Sequence, residues 1–297
     1  MLFHRIIKYN IFMKRFNLII LLLIFFNCSS SDNNSNENQD PVGPIQENIF
    51  FISQVIDGVQ VDREVLIHLP EDFDSTIKYP VVIAFHGGGG QNDHWFNKFS
   101  PFVQNGEFIG IYPQGHLNSW NLGQEASTAD EVYFLHQIMA KLETYSFFDP
   151  SKVYGIGASN GSALINKLAI ETSYFSAIAA LASQLIQGTV PNSSTSPVSV
   201  LQICGTDDQS IPYDGGMAFM GHNFLSAHDS AHAWASAFNC SINPIMEDLE
   251  NDMVFIYTDC ESGKEIRFHS VTGGDHSLNQ QSDPAFYHRI WDFLKRF

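Results

Sequence analysis

Along the chain, short unbroken apolar runs alternate with stretches of helical spacing. Residues 49–70, "IFFISQVIDGVQVDREVLIHLP", read as two strands around Asp57-Gly58, a dipeptide that favours a tight hairpin. "YPVVIAFHGGGG" is a continuous apolar run ending in glycines, the pattern of a strand buried on both faces, and "FIGIYPQG" repeats it. Ala129 to Tyr145 carries helical spacing with acids in its first turn, and Asp149-Pro150 is its expected stop. Then follow a strand at Val153–Ile156, a helix at Gly161–Ile170, and the strands "FSAIAALA" and "VSVLQIC". A long segment from Tyr213 to Asp259 has no strand pattern; beyond it lie the strand "EIRFHSV" and a terminal helix, Pro284–Phe297. Apolar strands alternating with helices predict one α/β domain, residues 45–297, with a mostly parallel central sheet covered by helices on both faces.

The N-terminus departs from this pattern. Residues 1–27 hold Arg5, Lys8, Lys14, Arg15, no acids, and the apolar run "FNLIILLLIFF", which reads as an export signal. The run is short for a transmembrane helix, which needs about 20 apolar residues. Met13-Lys14-Arg15 opens a more ordinary signal than Met1 does. Cys28 follows the run, and residues 28–44 form a polar tether ending at Pro41 to Pro44. Cys28 in this position resembles the lipidated cysteine of a bacterial lipoprotein signal, which implies a membrane anchor there; an ordinary secretory signal is the alternative.

Formal charge is −17, and loss of the four basic residues of the signal makes it −21. So acidic a protein repels nucleic acid and anionic polymers and suits neutral substrates. Of the remaining cysteines, Cys204 sits in an apolar run as a buried thiol, and Cys240 and Cys260 are left as the disulfide pair of an exported chain. No Cys/His cluster has metal-ligand spacing, so neither metal nor cofactor is expected.

Gly157-Ala158-Ser159-Asn160-Gly161 fits G-x-S-x-G, with a strand entering and a helix leaving, the setting of a nucleophile elbow. A serine nucleophile needs a base, and the base an orienting acid; resemblance to a nucleophile elbow implies that they follow it in the order Ser, acid, His. Asp207 and Asp208 follow one predicted strand and His276 another, at the edge where parallel sheets build sites. His276 is preferred as the base because it lies in a glycine-rich loop after a strand. His269 lies within its strand, and His222, His228 and His232 sit in the unpatterned segment. "FHGGGG" supplies an oxyanion loop in which Gly87 or Gly88 would donate together with Asn160, while His86 orders the loop. A phosphate cradle is disfavoured, because no Lys-Ser/Thr pair follows the glycines. Trp120 and Tyr213 are candidates for the walls of the substrate site.

Taken together, "AFHGGGG", "GIYPQG…NSWNLG", "DPSKVYGIGASNG", "ICGTDDQSIPYDGG" and "GGDHS" resemble the polyhydroxybutyrate depolymerase-like esterases, related to the feruloyl and acetylxylan esterases of carbohydrate esterase family 1. The resemblance runs from Val61 to Phe297. It implies an α/β-hydrolase fold, a triad of Ser159, Asp208 and His276, and a small-molecule or polysaccharide ester substrate. It also selects Asp208 over Asp207 and supports a Cys240–Cys260 bridge. Two departures stand out: Ser277-Leu278-Asn279 follows the histidine where Thr-Trp-Pro-Gly is common, and Ser119 replaces a cysteine before Trp120. The expected activity is acetyl or feruloyl ester hydrolysis on plant polysaccharide, or hydrolysis of short hydroxyalkanoate oligomers. Alternatives are a non-catalytic glycan-binding surface protein that keeps the fold, and a serine peptidase.

Overall fold

The computed structural model describes residues 48–297 except 219–220, 250, 279–282 and 284. The signal, the tether and Cys28 lie outside the described residues.

β1 (Ile49–Ile56) and β2 (Val59–His68) form the expected hairpin, with Ile56 opposite Val59. Asp57 and Gly58 both have positive φ, 49° and 79°, the geometry of a two-residue turn whose twist matches that of the strands. β3 (Tyr79–Phe85) and β4 (Ile109–Pro113) are the two continuous apolar runs. Between them, residues 92–95 form a 3-10 turn and α1 spans Phe96–Gln104. α2 (Glu131–Glu143) starts at Asp130, whose side chain accepts from the Tyr133 amide. It ends before the expected stop. Asp149-Pro150 instead belongs to β5 (Phe148–Ala158), where residues 149–152 bulge out between the Phe148 and Val153 pairings with β3.

α3 (Asn160–Glu171), β6 (Ala177–Leu181) and β7 (Ser199–Gly205) follow as the pattern predicts. The segment from Tyr213 to Asp259 is more ordered than its sequence implies. It holds a small hairpin, β8 (Gly216–Met217) with β9 (Asn223–Phe224), then α4 (Ala227–Ala237), β10 (Ile245–Leu249) and β11 (Asp252–Tyr257). β12 (Ile266–Val271) and α5 (Phe286–Leu294) complete the chain.

The main sheet has ten strands in the order β1-β2-β4-β3-β5-β6-β7-β12-β11-β10. The six from β4 to β12 are parallel, and antiparallel pairs flank them on both sides. In β3, Val81, Ile83 and Phe85 pack on one face under α2, α3 and α4, while Val82 and Ala84 pack on the other under α1 and α5. Both faces are buried, which is why the strand reads as an unbroken apolar run. The Cys240–Cys260 disulfide ties the end of α4 to the loop after β11, and Cys204 is a buried free thiol. Burial pushes the Cys204 thiol far up, so it is inert.

Candidate active site

β5 delivers Ser159 to the carboxyl edge of the sheet, and α3 leaves immediately. Ser159 has φ 54°, ψ −119°, a strained conformation for a residue with a side chain. The flanking glycines allow it. A Cβ on Gly157 would lie 2.0 Å from the Gly161 oxygen, and one on Gly161 2.4 Å from the backbone oxygens of both Phe85 and His86. The elbow therefore presses directly against the end of β3.

His276 Nε2 lies 2.8 Å from Ser159 Oγ, and its Nδ1 lies 2.7 Å from Asp208 Oδ2. A carboxylate only accepts, so Nδ1 carries the proton and Nε2 accepts from the serine hydroxyl. Asp208 is buried, and its Oδ1 accepts from the amides of Ser210 (2.8 Å) and Ile211 (3.0 Å). Asp207 is exposed and bonds no histidine; its amide donates to the Gly274 oxygen instead, joining the loop after β7 to the loop after β12. Of the two aspartates, the fold brings Asp208 and not Asp207 to His276, and His276 to Ser159.

The glycine loop lies against the elbow. A Cβ on Gly87 would stand 3.5 Å from Ser159 Cβ, and one on Gly88 3.6 Å from Asn160 Cβ. Among the described residues the Gly87 and Gly88 amides reach no acceptor. The Asn160 amide opens α3 and has no acceptor within the helix. His86 orders the loop as expected: Nδ1 donates to the Gly87 oxygen (2.8 Å), and Nε2 accepts from the Gly115 amide (3.0 Å). Burial holds His86 below the usual histidine range, with the Gly87 bond opposing and the Arg63 charge assisting, so the ring stays neutral.

Trp120 and Tyr213 do not wall the site. Trp120 is fully buried, its Nε1 donates to the His86 oxygen (2.7 Å), and its ring meets Phe85 edge-on. Tyr213 points towards β12, with its hydroxyl 2.8 Å from Ser270 Oγ and 3.2 Å from His228 Nε2. An aromatic at either position serves packing, because the cleft opens elsewhere. Trp120 still acts on the site through its backbone. Its amide donates to Asn160 Oδ1 (2.8 Å), and its oxygen accepts from Asn160 Nδ2 (3.1 Å). Beneath it, a buried ion pair between Arg63 and Glu131 (2.8 Å) fastens this loop, since Glu131 also accepts from the Asn121 amide (3.1 Å). Desolvation raises the Glu131 carboxyl and lowers the Arg63 guanidinium, and each is opposed by the other's charge.

Two clefts meet at Ser159 and His276. One, of about 440 Å³, is walled by Leu117, Leu122, Ala163, Ile211 and Phe224, with Glu125 and His222 as buried polar groups. The other, of about 500 Å³, is bordered by Gly87, Ala182, Ser277, Tyr287, His94 and Lys98. Lys98 Nζ lies 2.5 Å from His94 Nε2; burial lowers Lys98 to about 8 and, together with the Lys98 charge, His94 to about 4. A larger cavity of about 760 Å³, near Asp252, His269 and Arg289, touches neither Ser159 nor His276. Sequence reasoning missed Glu125 and His222. They sit 97 residues apart, and only the β8–β9 hairpin brings them together.

Strand order, elbow and the placement of Ser159, His276 and Asp208 define an α/β-hydrolase fold. Solved structures agree: an acetyl xylan esterase from Aspergillus awamori superposes with TM-score 0.58 at 14% identity, covering 77% of this chain and 94% of that one. Thermogutta terrifontis esterase 2 superposes with TM-score 0.56 at 15% identity, covering 86% and 95%. In sequence the protein is similar to feruloyl esterases. Feruloyl esterase B of Piromyces equi is 24% identical over 250 residues, which span 79% of this chain and 45% of the relative. A probable feruloyl esterase C of Aspergillus niger is 27% identical over 175 residues, 54% of this chain and 62% of the relative. The chain thus spans about half the length of these relatives. No family model matches it.

Proposed function

We propose that the protein is a serine carboxylic-ester hydrolase acting through an acyl-enzyme. The reading rests on the hydrogen-bonded series Ser159–His276–Asp208, set beside amides without acceptors. His276 Nε2 takes the Ser159 proton as Oγ attacks the acyl carbonyl, and the Asn160 amide with Gly87 or Gly88 holds the oxyanion. His276 then protonates the departing alcohol. Water, deprotonated by the same nitrogen, cleaves the acyl-enzyme and regenerates the serine. Asp208 keeps Nδ1 protonated and stabilises the imidazolium.

The substrates proposed are acetyl or feruloyl esters on plant polysaccharide, with short hydroxyalkanoate oligomers as the second choice. Similarity to feruloyl esterases and a net charge of −17 both favour neutral glycan esters. Export fits the Cys240–Cys260 bridge, which an oxidising compartment preserves. Lipidation at Cys28 would tether the enzyme to a membrane.

The test compares p-nitrophenyl acetate, acetylated xylan, methyl ferulate and a 3-hydroxybutyrate trimer, with Ser159→Ala as control. Turnover abolished in the variant is the expected result, and the best substrate names the subclass. If the native chain and the variant are equally inert on all four, the esterase reading fails and glycan binding takes its place.

A further inference from the structure

We infer that Glu125 and His222 form a hydroxyl-recognition pair in the wall of the 440 Å³ cleft, selecting substrates that carry a free hydroxyl group there. The inference rests on the ester-hydrolase reading of that cleft. Glu125 is buried to 1% side-chain exposure and His222 to 7%, although neither belongs to the triad. Glu125 Oε2 accepts from the Leu122 (2.7 Å) and Gln124 (3.2 Å) amides. Its Oε1 faces Asn160 Nδ2 (3.2 Å) and His222 Nε2 (2.9 Å).

A carboxylate encircled by N–H donors is an acceptor only, so His222 Nε2 donates to it, and in the neutral ring the lone pair lies on Nδ1. Nδ1 has no partner among the described residues, and the ring borders the cleft. Leu122, Ala163, Ile211 and Phe224 make the apolar part of the wall, so an acceptor beside them is one of the few polar groups that can orient a ligand there. A hydroxyl donor completes it. An anionic group would meet a lone pair backed by a carboxylate and be repelled.

Two sources of such a hydroxyl exist in an ester: a phenol on an aryl acyl group, and a sugar hydroxyl on the leaving alcohol. Binding to the Ser159→Ala protein, which needs no turnover, separates them by calorimetry. The acyl arm compares methyl 4-hydroxycinnamate with methyl cinnamate. The alcohol arm compares an acetylated methyl xyloside with its 4-deoxy analogue. The expected result is a roughly 10–100-fold preference for the hydroxylated member in one arm, since an acceptor left unpaired is penalised. The preference should vanish in Ser159→Ala/His222→Phe. It should survive in part in Ser159→Ala/His222→Gln, whose amide keeps a donor for Glu125 and an acceptor for the ligand.

Equal binding within both pairs overturns the inference, and so does a preference that persists in the Phe variant. A Gln variant that falls as far as Phe points to ring packing alone and overturns it too. If the preference holds while the unsubstituted chain cleaves no ester, the esterase reading fails and hydroxyl recognition stands.

Discussion

Replacing Gly161 by alanine tests whether the contact between elbow and oxyanion loop governs the chemistry. The new Cβ would lie 2.4 Å from two backbone oxygens, those of Phe85 and His86, where ordinary contact needs 3.4 Å or more. Neither oxygen is the tip of a flexible side chain, so α3 and the end of β3 must separate by about 1 Å. Overpacking of this kind costs about 1–3 kcal/mol. For a domain of this size that lowers Tm by roughly 2–12 °C. The kinetic effect is larger, because the same shift moves Gly87 and Gly88 away from Ser159. A misplacement of about 1 Å lowers rate about 100-fold. The loss should fall on kcat more than on KM, since the amides act on the transition state. Gly87→Ala is the control for stability: its Cβ would meet only atoms at 3.4 and 3.5 Å, so its Tm should change little. The assay is p-nitrophenyl acetate hydrolysis beside thermal unfolding. A Gly161→Ala protein with native Tm and kcat/KM within threefold of native would refute the reasoning.

Other outcomes follow from the same contacts. Asp208→Asn should lower kcat by about 10⁴-fold through loss of the required tautomer, whereas Asp207→Asn should change it only a few-fold in the same assay. Arg63→Met leaves Glu131 buried without its cation and should destabilise by about 3–5 kcal/mol in urea unfolding; Arg63→Met/Glu131→Leu should recover most of that loss. His68 is buried against Phe96, and burial lowers it from 6.5 to about 4, so the unfolded chain binds the extra proton first. Its contribution to stability is full above pH 6.5 and is lost as pH falls towards 4; His68→Phe should flatten that slope in unfolding measured across the interval.

The parallel strands were legible because burial on both faces leaves no polar alternation to confuse the reading. The elbow was legible because its glycines answer to backbone contact, and Asp208 because a family pattern aligns it. Other elements carried weaker signals. α1 contains Pro101, which reads as a break. α4, "AHDSAHAWASA", is too poor in large apolar residues to show a stripe, although Ser226 capping the Asp229 amide marks its start. β10 is exposed throughout and so has no apolar face to betray it. Trp120 misled because sequence does not distinguish an aromatic that fills a core from one that walls a cleft. Glu125 and His222 meet only through the tertiary fold.

The position of β12 gives the site a place in time. The strand slots between β7 and β11, parallel to the first and antiparallel to the second, and His276 follows it directly. Ser159 and His276 are 117 residues apart, and Asp208 and His276 are 68 apart. Each of these contacts requires the intervening loop to be closed before it can form. The serine and its elbow can be in place on β5 while the base is still absent. Regained activity on refolding therefore reports the docking of β12 beside β7, and a chain halted before β12 holds a nucleophile with nothing to activate it.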